Sequence, residues 1–169
     1  MFPVENLPVE AVIVSARCSI RTYYNNDTRV CHSYDGVAPA STSITPQAKK
    51  CAVCFNNQWG SRITPNGKRG KSCSEHTDLT LRQLDDPDNA MSLRVPSASL
   101  KAFRVFKEQI TSRGEQLNRV VTKIDTTQDQ RSTLLFRIIR FLDDDDLDIL
   151  SQPPKQEVSM FAITDGYTQ

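Results

Sequence analysis

Cysteine placement constrains this chain more than any other feature: of its five cysteines, three fall between positions 51 and 73. Cys51 and Cys54 stand two residues apart, a spacing at which a tight turn points both sulfurs at one metal ion. Cys73 closes a loop rich in glycine and lysine, with the only tryptophan, Trp59, inside it. A tetrahedral site needs a fourth ligand, which Cys31 upstream or His76 downstream would supply. The all-thiolate set with Cys31 is the expected one. It predicts a structural Zn2+ ribbon over roughly residues 49–76.

Redox context supports metal over disulfides. Met1–Asn6 carries neither the basic nor the apolar segment of a leader peptide. No run approaches the roughly 18 apolar residues that span a bilayer, and mean hydropathy is −0.46. A soluble, cytoplasmic protein without membrane contact is expected, and there thiols stay reduced. Four ligands would leave Cys18 as a buried spare.

Net charge is only +1, but its distribution is uneven. Between Lys49 and Arg82 the chain carries Lys49, Lys50, Arg62, Lys68, Arg69, Lys71 and Arg82 against Glu75 and Asp78. Asp143 to Asp148 holds five aspartates around one leucine. Segregation of this kind suits a polyanionic partner.

Patterning along the chain predicts an α+β fold. Val9–Ala16 reads as a buried strand that Ile20–Tyr24 continues, before a turn at Asn25-Asn26-Asp27. Residues 38–46 read as an exposed loop. Strands are expected at Leu79–Leu84, Met91–Val95, Leu117–Ile124 and Leu134–Phe141, with polar turns at 85–89 and 125–132. Leu100, Phe103, Phe106 and Ile110 share one face of the main helix, and Gly114 stands as its C-cap. Asp143–Leu147 reads as a first helical turn suited to the positive end of the helix dipole. The expected architecture is a small, mostly antiparallel sheet with one main helix and an inserted zinc ribbon, an OB-like barrel being an alternative. It assigns residues 1–150 to one domain, with the ribbon inserted at about 28–76, and 151–169 to a flexible tail.

Inside the ribbon, Trp59, Arg62, Lys68, Arg69 and Lys71 are candidate nucleic-acid contacts, joined by Lys49, Lys50 and Tyr34. Basic side chains displace counterions from phosphates, and aromatic rings stack on unpaired bases. His32 reads as a solvated loop histidine. Catalysis finds no support: two histidines, no nucleophile elbow, and Pro65 where a phosphate-binding loop needs its first glycine.

Three stretches together, Cys31–Gly36, Cys51–Ser61 and Gly67–Cys73, resemble zinc-ribbon single-stranded-DNA-binding proteins of tailed bacteriophages, including those that assist a phage-encoded RNA polymerase. Leu93-Arg94-Val95-Pro96, Val120–Ile124 and Phe136–Phe141 match in style, so the resemblance covers much of Glu10–Leu150. Phe55 departs from it, standing where a proline often follows the knuckle. The resemblance implies DNA binding without catalysis in the cytoplasm of an infected bacterium, serving replication, recombination or transcription. It implies Cys31, Cys51, Cys54 and Cys73 as ligands. Recruitment of a phage RNA polymerase to opened promoters, contact with replication proteins, or a ribbon used for protein interaction alone are the alternatives. A homo-oligomer is compatible with each.

Overall fold

A computed structural model describes residues 7–127 and 133–162, with the backbone alone for 156–162. The protein is α+β, with one main helix and a mostly antiparallel sheet. Among the described residues the strands are β1 (Val9–Asn25), β2 (Thr28–Ser33), β3 (Arg62–Ile63), β4 (Arg69–Gly70), β5 (Cys73–Arg82), β6 (Asn89–Val95), β7 (Val120–Thr126), β8 (Leu134–Phe141) and β9 (Gln156–Ala162). The helices are α1 (Leu100–Thr111) and α2 (Asp144–Ser151). Strand order in the main sheet is β8-β7-β1-β5-β6-β9, with β2 paired to β1 and the β3–β4 hairpin forming a sheet of its own. Among the described residues the ends of that order are not joined to each other, so the sheet is open rather than an OB-like barrel.

The chain divides into two compact units. One is discontinuous, Met1–Ala16 with Asp78–Gln169; the other is inserted between them, Arg17–Thr77. Each has its own organisation.

In the discontinuous unit, Ala11, Val12 and Ile13 are buried in succession, as befits a strand covered on both faces. Val9 to Val12 pair antiparallel with Ile124 to Val121. Helix α1 buries Phe103, Phe106 and Ile110, the stripe its spacing predicts. Phe136 of β8 receives both rings, at 5.2 Å from Phe103 and 5.6 Å from Phe106 between centroids. Gly114 follows the helix at φ +77°, the left-handed conformation of a glycine cap.

Helix α2 starts in a capping box: Asp143 accepts from the Asp146 amide, and Asp146 accepts from the Asp143 amide. The Asp146 carboxylate also takes two hydrogen bonds from Arg140. These bonds hold its pKa down to about 2, the Arg140 side chain first and the backbone amide after it. At the other end, Arg82 lies buried and donates 2.8 Å bonds to the Leu150 and Gln152 carbonyls and a 2.9 Å bond to Pro87. A cation there satisfies orphan carbonyls and suits the negative end of the dipole. Arg82 is therefore committed to the fold, not to the basic stripe to which the sequence assigns it.

Part of the expected tail is sheet. Strand β9 pairs in parallel with β6, from Asn89 opposite Gln156 to Arg94 opposite Ala162. A stretch without polar–apolar alternation hides such a strand, because here the neighbouring backbone supplies the pairing. Residues 163–169 and part of the 125–132 turn lie outside the described residues.

In the inserted unit, β1 turns into β2 through Asn26 and Asp27, at φ +46° and +62°, the positive-φ pair of a two-residue hairpin turn. Gly36 sits at φ +74°, where an added Cβ would lie 2.8 Å from the Ser19 carbonyl oxygen and 3.3 Å from Arg21 Nε. The Ser/Thr/Pro loop is mostly exposed but tied down, by Ala40 to the His32 carbonyl and Thr45 to that of Val30.

A cysteine-lined cavity and a cationic hairpin

Four cysteines from three separate segments meet in the inserted unit. Cys31 comes from β2, Cys51 and Cys54 from the knuckle, and Cys73 from the first position of β5. All four line one cavity of about 20 Å³, with Arg21, His32 and Asn57 in its wall. The knuckle is a short 3-10 turn in which the Cys54 amide returns to the Cys51 carbonyl and the Asn57 amide to that of Cys54. That return aims both sulfurs inward. Val37 anchors the approach by accepting from the Cys51 amide at 2.8 Å.

The volume suits one small ion, since a single water needs about 10–15 Å³ by the same measure. Among the described residues, no group of three or more His, Cys, Asp or Glu is assembled closely enough to hold an ion as it stands. The thiols share a space without forming a closed ligand set. Burial pushes the Cys73 thiol up to about 11; Arg21 acts against the rise, and Cys54, Cys51 and Cys31 add to it. Four thiolates brought together in this space would call for a cation.

His76 is not part of this cavity. Cys73 and His76 are three apart on one strand, so the pleat sends them to opposite faces. His32 does line it, and it is buried rather than solvated. Its ring meets Thr42 Oγ1 at 3.0 Å, Ser43 Oγ at 3.4 Å and Tyr34 Oη at 3.3 Å, which pins the loop to β2. Burial, then Arg29, lowers its pKa, keeping it a neutral hydrogen-bonding hub. Cys18 is half-buried and outside the cavity wall.

From the knuckle the chain runs into the β3–β4 hairpin, where Arg62 faces Gly70 and Ile63 faces Arg69. The turn is closed by Thr64 bonding Lys68 and by Gly67 at φ +76°. Trp59 is 74% exposed and Phe55 73%, so neither ring packs against the cavity. Lys49, Lys50, Lys68 and Arg69 are exposed, and among the described residues none of them pairs with a carboxylate. Arg62 is half-buried, its guanidinium close to Gly70. Tyr34 is half-exposed and held edge-on by His32, with ring centroids 5.1 Å apart.

Lys71 differs from the other candidates. Its Nζ turns back to donate to Asn57 Oδ1 at 3.1 Å. Arg21 donates to the same oxygen at 2.7 Å and to Glu75 at 2.9 Å, while Asn57 Nδ2 donates to the Cys51 carbonyl at 2.8 Å. Sequence reasoning misses Arg21, Asn57 and Phe55. A polar residue just past the knuckle and an aromatic in a polar loop were the available signals for the last two.

Fold and site together define an α+β protein carrying an inserted unit with a cysteine-lined cavity, two exposed aromatic rings and a basic hairpin. No protein-family model, curated protein or solved structure matches the chain. Among the described residues, no helix is long and apolar enough to cross a membrane.

Proposed function

We propose that the protein binds single-stranded DNA with little sequence preference, through the inserted unit, and that one structural zinc ion held by Cys31, Cys51, Cys54 and Cys73 shapes that unit. Charge carries the reading. Residues 17–77 hold nine Lys and Arg against three Asp and Glu, a net +6, whereas the whole chain is +1. Four thiolates around a divalent ion would still leave the unit clearly cationic.

The exposed rings of Trp59 and Phe55 belong to the same unit as the unpaired Lys49, Lys50, Lys68 and Arg69. Basic side chains hold a phosphate backbone and flat rings accept unstacked bases, whatever their sequence. Bound zinc would cross-link β2, the knuckle and β5, a structural service in a site whose four positions sulfur fills. The process served, following the resemblance to phage proteins, is phage DNA replication, recombination or transcription.

Fluorescence anisotropy with a labelled oligo-dT, set against a duplex of equal length across a salt series, tests this. Tighter binding to the single strand is expected, with log affinity falling by about 0.7 per phosphate contact for each log unit of salt. Equal affinity for duplex, or no binding at low salt, refutes it.

A further inference from the structure

Two cations converge on one neutral oxygen at the wall of the cysteine cavity. Arg21 and Lys71 both donate to Asn57 Oδ1, at 2.7 and 3.1 Å. Asn57 is buried, and the Arg21 side chain is only 16% exposed. Glu75 is the carboxylate that pairs with Arg21. Two positive charges that share an acceptor repel, and the burial of Arg21 and Asn57 weakens the screening on their side of the contact, while Lys71 is exposed.

Glu75 offsets one of the two charges, and four neutral thiols do nothing to balance the other. A divalent ion bound by four thiolates carries a net double negative charge, and then the pair is the complement the site needs. The placement is built rather than incidental. Asn57 is locked by its own bond to the Cys51 carbonyl, and Gly36 leaves room for Arg21 Nε where a Cβ would lie 3.3 Å away.

We infer that Arg21 and Lys71, oriented by Asn57, are the outer-shell counter-charges of an anionic tetrathiolate metal centre, so that Lys71 serves the metal rather than the nucleic acid. The inference rests on the zinc reading above. It makes Arg21, Lys71 and Asn57 positioning residues, acting on the metal through the field they set and through the knuckle backbone.

Outer-shell partners of this kind are worth about 10- to 100-fold in metal affinity. The experiment loads wild type, Arg21→Gln, Lys71→Gln and Arg17→Gln with zinc and titrates each with a chromophoric chelator. Cobalt substitution reports the thiolate-to-metal charge-transfer band. Arg17, an exposed cation of the same unit, controls for general loss of charge. Roughly tenfold or greater weakening is expected for Arg21→Gln and Lys71→Gln, with Arg17→Gln like wild type and the tetrahedral cobalt spectrum retained. Should Arg21→Gln fail to fold, exposed Lys71 still decides the matter. A loaded wild type with Lys71→Gln equally tight overturns this inference and leaves the zinc reading standing. A wild type that takes up neither metal overturns both.

Discussion

Replacing Trp59 by alanine separates a stacking platform from a packing residue. With 74% of its surface exposed, Trp59 gives little to folding, so Trp59→Ala should shift unfolding free energy by no more than about 0.5 kcal/mol. A base stacked on an aromatic ring is worth about 1–3 kcal/mol, which is roughly a 5- to 150-fold loss of single-strand affinity. Phe55, 73% exposed, should behave alike. If the rings hold different bases, the double variant should lose the sum of the two penalties to within about 0.5 kcal/mol. Anisotropy with oligo-dT reads binding, and urea titration of the same preparations reads stability. Affinities within twofold of wild type would show that the rings do not bind, and a stability loss above about 1 kcal/mol would show that they pack.

Three further outcomes follow from the geometry. Arg82→Met strands the carbonyls of Pro87, Leu150 and Gln152, and should cost about 3 kcal/mol or more in urea unfolding; a cost below about 1 kcal/mol would contradict the capping role. Gly36→Ala places a methyl 2.8 Å from the Ser19 carbonyl at a φ of +74°, and should cost about 1–3 kcal/mol by thermal melt. Asp146 titrates near 2 in the folded state and near 3.9 unfolded, so the stability it confers is complete above that unfolded value. It should fade as the pH drops toward 2, and Asp146→Asn should flatten the acid limb of stability against pH. An unchanged acid limb would argue against the Arg140 pairing.

Legibility of the sequence tracked how local the deciding forces were. Helix α1, its apolar face and its glycine cap could be read because spacing, stop signal and burial all lie within a few turns. The Asn-Asp hairpin turn and the aspartate helix start were readable for the same reason. Strand β9 was not, because its pairing partner stands far away in sequence. Spacing picked out Cys51, Cys54 and Cys73 and left the fourth position to Cys31 or His76; it is the fold that brings Cys31 to the same cavity. The exclusion of His76 followed instead from strand parity, which becomes visible only once Cys73 is known to open β5. Charge counting put Arg82 in a basic stretch and Lys71 among the nucleic-acid contacts. The chain spends both on internal acceptors, a choice composition cannot reveal.

The insertion also has a consequence for synthesis. Residues 17–77 are contiguous, so the cysteine cavity has every wall segment once that stretch has left the ribosome. The discontinuous unit must wait: Val9 finds Ile124 and Asn89 finds Gln156 only when most of the polypeptide has emerged. Distant partners of this sort close slowly. During that interval the nascent chain holds the whole cationic segment together with unmatched strand edges, and it is those edges that a chaperone would need to shield.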